Sequence, residues 1–170
     1  VLKNHITKIF EKKKSDKKTK IEKSNQVKIE FKKDELNGII QYLQKNYGDD
    51  LEKKNLLKIS GGGQKNPDYP LTNLIKFNEN DRNQYYFNFN KSIPNENDNW
   101  IEFDFMNNKV NISSYTIRTK TVNHCPSSWK IIGSNNHKNW ELIDRQINNP
   151  ELNGSYKQHR FDIENNNNSN

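Results

Sequence analysis

The sequence has one cysteine, one methionine, seven glycines and five prolines among its 170 residues. Its lone thiol, Cys125, excludes an intramolecular disulfide and any zinc site built on paired cysteines. The four histidines, His5, His124, His137 and His159, show no metal-pair spacing. No apolar run approaches the ~20 residues that cross a bilayer as a helix. Apolar residues amount to only 30 %, a level that pushes toward disorder, but 11 % are aromatic and several of them alternate with polar residues. That alternation indicates a real core. The charge is lopsided: residues 1–33 carry 12 Lys and 4 acids, whereas residues 34–170 carry 16 Lys/Arg and 17 acids. The net charge of +7 therefore belongs to an N-terminal arm, and the remainder is near neutral.

Within that arm, Leu2, Ile6, Ile9 and Phe10 have helical spacing, so residues 1–33 read as a helix end or basic linker. The run KKKSDKKTK at 12–20 would suit nuclear import or contact with nucleic acid or another anionic surface, but no aromatics interleave for base stacking, and a solvated linker is the simpler reading. A short amphipathic helix over 34–47 comes next, with Asp34 as its cap. Leu36, Ile39, Ile40, Leu43 and Tyr47 lie on one face, and Gly48 stops it.

From Leu56 the period changes from helical to alternating. Strands are expected at Leu56–Ser60, Tyr85–Asn90, Trp100–Phe105, Ser114–Lys120, Trp129–Gly133, Glu141–Gln146 and His159–Ile163. Phe103, Phe105, Ile117, Ile131 and Leu142 are the expected core residues, and Trp100 and Trp140 are also expected to be core. Many short strands with little helix indicate an all-β domain over 56–163, ahead of an Asn-rich tail at 164–170.

Catalytic readings fare poorly. His124 and Cys125 are adjacent, so in extended chain their side chains point to opposite faces and cannot form a nucleophile–base pair. Gly61-Gly62-Gly63-Gln64-Lys65 lacks the Gly-Lys-Ser/Thr ending and the succeeding helix of a phosphate loop. The sequons at Asn90, Asn111 and Asn153 are expected by chance in so Asn-rich a chain. Asp68, Glu79, Asp81 and Asp98 lie in loops able to hold calcium, but Lys76 sits where an acidic ligand would be needed. No catalytic residues, metal or cofactor are expected.

Two strings carry a family resemblance: WIEFDF at 100–105, and SWKIIGSNNHKNWELID at 128–144, a Trp-x-apolar-x-Gly-Ser-Asn hairpin with a second Trp. Together they resemble the coagulation factor 5/8 type C, or discoidin, domain of the galactose-binding-like superfamily. Asn136 stands where an Asp is commoner, and both residues serve turns. The resemblance implies a jelly-roll β-sandwich and a non-catalytic recognition function. It also implies ligand contact at loops 66–83, 91–99 and 121–128, where Tyr69, Arg82, Tyr85, Tyr86, His124 and Trp129 can stack on a sugar or anchor a peptide. Secreted members usually join their ends by a disulfide, so the single cysteine favours a cytoplasmic setting, with a nuclear one as the variant. Related domains come after BTB and BACK domains in protist adaptors, which implies an intracellular adaptor binding protein or glycan. The alternative is an extracellular carbohydrate-binding module of an adhesin or glycosidase. The family's closing strand pair has no counterpart after Ile163, so the sequence reads as a fragment of a larger protein.

Overall fold

In the computed structural model the described residues are 2–10, 25–30, 37–62, 70–76, 99–120 and 125–164. Eight strands and one α-helix occur among them: β1 (Leu2–Phe10), β2 (Asn25–Lys28), α1 (Ile39–Tyr47), β3 (Lys58–Gly61), β4 (Ile101–Asp104), β5 (Lys109–Arg118), β6 (Trp129–Gly133), β7 (Glu141–Gln146) and β8 (Gln158–Asp162). All pairings are antiparallel: a four-stranded sheet in the order β2-β1-β5-β8, and the two-stranded sheets β3-β4 and β6-β7. The regular structure of the described residues is thus mostly strand, in small antiparallel sheets, with one α-helix.

Helix α1 starts later than its apolar spacing predicts. Gly38 occupies the N-cap position in extended conformation, and its carbonyl accepts the Tyr42 N–H at 3.0 Å. Glycine is a poor helix former, so the helix begins after it, and Asp34 is not its cap. Gly48 closes the helix as expected. Its φ of +79° suits glycine, and its N–H donates to the Gln44 carbonyl at 2.7 Å. Ile39, Ile40 and Leu43 are buried with Leu51, Leu57 and Ile75, and this aliphatic cluster extends to Ile59, Phe103, Phe105, Val110 and Ile112.

The opening segment is strand, not helix. β1 pairs with β5 from Leu2↔Ile117 to Ile9↔Lys109, and with β2 from Thr7↔Lys28 to Phe10↔Asn25. Ile6, Thr7 and Ile9 are β-branched and favour extended chain, which outweighs the helical spacing of the apolar positions.

Strand β5 serves two cores. Val110 and Ile112 pack against the aliphatic cluster, whereas Tyr115 and Ile117 belong to a second cluster with Leu152 and Phe161, flanked by Trp129, Ile131 and Ile163. The inward set therefore changes from even to odd positions along one strand. The pairing explains it: His5 faces Ser114 and Ile6 faces Ile112, so Ser113 is an unpaired bulge residue that shifts the alternation by one. Ser113 is still anchored, because its carbonyl accepts the Ile163 N–H at 2.8 Å.

The β6-β7 hairpin holds a second irregularity. Ile131 pairs with Asp144 and Ile132 with Leu142, which leaves Ile143 as the extra residue. Ile143 approaches Gly133, where an added Cβ would meet its Cδ1 at 2.7 Å. Leu142 is turned outward and is 59 % exposed. The expectation that Leu142 is buried is thus corrected, since the bulge breaks the period-2 pattern on which it rested. Trp100 and Trp140, expected in the core, are each 45 % exposed. Both stand immediately before their strands, Ile101–Asp104 and Glu141–Gln146, outside the two clusters. Ile117 is buried as expected; Phe103, Phe105 and Ile131 are half-buried.

Candidate functional site

The C-terminal ends of β5 and β7 and the N-terminal ends of β6 and β8 lie at one end of the molecule, because Trp129 pairs with Gln146 and Arg118 with Gln158. Residues 119–120 and 125–128 meet the 147–157 connection there. The Asn149 N–H donates to the Ser127 carbonyl at 2.7 Å, and the Asn148 N–H to Ser128 Oγ at 3.0 Å. The Thr119 N–H donates to the Lys157 carbonyl at 2.8 Å, and Cys125 Sγ lies 3.5 Å from the Gly154 carbonyl. Buried Thr119 also sets its hydroxyl 3.2–3.4 Å from the carbonyls of Leu152, Gly154 and Lys157. Backbone that would otherwise be held only by solvent is thereby fastened to the strand ends.

Leu152 is the apolar anchor of the 147–157 loop and is fully buried between Tyr115, Ile117 and Phe161. A turn over Pro150–Asn153, closed by the Asn153 N–H to the Pro150 carbonyl at 2.9 Å, points it inward. Behind it a polar chain runs through the aromatic cluster. The Trp129 indole N–H donates to the Tyr115 hydroxyl at 2.7 Å, and that hydroxyl donates to Asp144 Oδ2 at 2.5 Å. Gln146 Nε2 donates to the same oxygen at 3.1 Å, and Asn149 Nδ2 donates to Gln146 Oε1 at 2.8 Å. The chain therefore links the core to the loop. Burial, and then the hydrogen bond to Asp144, hold the Tyr115 hydroxyl well above the usual phenol range, so it is a neutral donor.

On this base the loop presents Tyr156, which is 63 % exposed and held at a φ of +56°. A left-handed conformation is unfavourable for a bulky residue and persists where surrounding bonds determine it. Asn148, also in left-handed backbone, and Asn153 stand exposed on the same loop. His159 reaches back from β8 to Glu151 at 3.1 Å and lies over Phe161, with ring centroids 4.6 Å apart. The arrangement offers an aromatic face, amides and a histidine–carboxylate pair on a fixed frame. Such groups can stack and hydrogen-bond.

Of the residues expected from the sequence to contact ligand, Trp129 is at this end. It is half-buried, edge-on to Phe161 at 5.0 Å, with its N–H committed to Tyr115. Tyr69, Arg82, Tyr85, Tyr86 and His124 lie outside the described residues, as do Asp34, Asp68, Glu79, Asp81 and Asp98. Sequence reasoning missed Tyr156 and the 147–157 loop. The signal was there in Asn-Asn-Pro-Glu-Leu-Asn-Gly, a turn-rich stretch with one apolar residue at its centre.

At the opposite end, the 134–139 turn is built on Asn136, whose Oδ1 accepts the Lys138 and Asn139 N–H groups at 2.9 Å each. His137 Nδ1 lies 2.8 Å from Glu102 Oε1, and its Nε2 lies 3.8 Å from Asp104 Oδ2, which ties the turn to β4. Ser60 Oγ donates to the other Glu102 oxygen at 3.2 Å. Gly61 leaves room for the Trp100 carbonyl, 3.0 Å from where its Cβ would be, so this glycine has a packing role. Among the described residues no cluster of three His, Cys, Asp or Glu is placed to hold a metal, and no helix is long and apolar enough to cross a membrane. No family model, curated protein or solved structure matches the chain.

Proposed function

We propose that the chain is a non-catalytic recognition module of the discoidin type, a jelly-roll sandwich that binds a glycan or a protein segment at the loop end. The observation that carries this reading is Tyr156, exposed in left-handed backbone on a loop fastened through Leu152, Thr119 and Asn149. Aromatic faces beside amides are suited to saccharide rings and peptide segments alike, and rigid support lowers the ordering cost of binding. The sandwich reading draws support from the aromatic contacts that set β6 against β8. Among the described residues His137 and His159 face carboxylates, which is the arrangement of polar anchors rather than of a nucleophile–base pair. The single cysteine fits an intracellular adaptor.

A glycan array and a pull-down, each run with wild type, Tyr156→Ala, and a Tyr69/Arg82/His124 triple alanine variant, test the proposal. Loss of binding in these variants, with unchanged circular dichroism, is the expected outcome. Removing residues 1–30 would strip β1 and β2, so the basic arm is better tested by replacing the six lysines between 12 and 20 with glutamine. Binding that survives the loop variants but vanishes with those lysines would make the arm the functional element.

A further inference from the structure

The outer face of the β6-β7 hairpin pairs with no other strand among the described residues and has a definite chemistry. Ile132 and Leu142 are directly paired and both exposed, at 50 % and 59 %. Trp140 stands just before β7, 45 % exposed, with its ring edge-on to that of His137 at 6.4 Å. The next outward pair toward the loop end is Lys130 opposite Arg145. Two cations facing each other across strands destabilise a hairpin unless an anion lies between them, and neither has an ion-pair partner among the described residues. No acid shares this face. Asp144 points inward to Tyr115, and Glu141 pairs with Gly133 at the turn. Beside this face the backbone edge of β6 is unpaired among the described residues. It is also the regular edge, because the bulge residue Ile143 belongs to β7.

We propose that this face docks an extended acidic segment of a partner protein, added as a strand along β6. One of its apolar side chains would lie beside Ile132 and a carboxylate beside Lys130 and Arg145. Alternate residues of a strand share a face and stand about 7 Å apart, so the matching pattern is apolar-x-acidic. A second copy is a poor occupant, since the face has no acid of its own to meet its cations. An anionic lipid surface would leave the β6 edge unsatisfied. None of the proposed contacts involves Tyr156.

The test uses the full chain and three biotinylated ten-residue probes: alternating Glu-Leu, Lys-Leu and Glu-Ser. Wild type is expected to bind Glu-Leu at least about tenfold more tightly than either control, a difference of ~1.4 kcal/mol. Lys130→Glu with Arg145→Glu should invert the preference to Lys-Leu, Ile132→Ser should abolish it, and Tyr156→Ala should leave it unchanged. Equal binding of the three probes, or a preference that survives the double reversal, overturns the proposal. Self-association or binding to phosphatidylserine vesicles that is lost in the same variants, without Glu-Leu preference, overturns it in favour of those occupants.

Discussion

The two apolar clusters are built differently. The first, beneath α1, is aliphatic at its centre: Ile39, Ile40, Leu43, Leu51, Leu57 and Ile75. The second is aromatic, with Tyr115, Trp129 and Phe161 threaded by the hydrogen-bonded chain to Asp144, Gln146 and Asn149. An aliphatic cluster is non-directional and secures only that the helix and strands stay together. A hydrogen-bonded aromatic cluster also fixes orientation, and here the fixed object is the loop that carries Tyr156. The difference separates a core that holds the chain folded from one that also aims a surface.

Cavity-forming substitutions give the largest expected effect. Leu43→Ala in the first cluster and Leu152→Ala in the second should each cost about 2–5 kcal/mol in urea unfolding. Under native conditions only Leu152→Ala should speed proteolytic cleavage within 147–157, because that residue pins the loop. Equal cleavage in both variants would erase the distinction between the clusters. Next comes Tyr115→Phe, expected to cost roughly 1–3 kcal/mol by leaving the Trp129 N–H and the Asp144 carboxylate short of a partner. A near-neutral result would reduce the polar chain to a bystander.

The Tyr115 hydroxyl also sets a pH dependence. Its folded pKa is raised above the ordinary 10.0, so the folded state keeps the proton that the unfolded chain loses. Its contribution is complete below about pH 10 and declines as pH rises beyond that, since only the unfolded state ionises there. Urea midpoints measured between about pH 8 and 11 should show this fall in wild type, with a smaller slope in Tyr115→Phe. Identical slopes would refute the assignment. The smallest effect belongs to the turn end. His137 is largely exposed, so His137→Gln should change stability by no more than about 1 kcal/mol in urea unfolding. A larger loss would mean that the turn, like the loop end, is aimed from within.

The sequence disclosed where most strands lie, but not where their alternation breaks. Trp129–Gly133 and Glu141–Gln146 are found as expected, and the strands around Phe103 and Phe161 differ by one residue at each end. Strand β5 was expected only from Ser114 because the bulge at Ser113 puts Lys109–Ile112 out of step with Ser114–Arg118. Leu142 was misplaced for the same reason, with Ile143 as the extra residue. Bulges are set by pairing with a distant strand, which a local window does not contain. Trp129 was legible as an aromatic at the loop end. Its commitment to Tyr115 was not, because that contact spans 14 residues and depends on two sheets meeting.

Ser113 also bears on how such chains are compared. Because it takes up one position without a partner, β5 is two half-strands of opposite parity joined head to tail. A pattern that scores apolar residues at every second position across 109–118 accumulates matches over one half and mismatches over the other. Aligning this strand to a straight one therefore requires a one-residue gap in the middle of a regular element, where gaps are most heavily penalised.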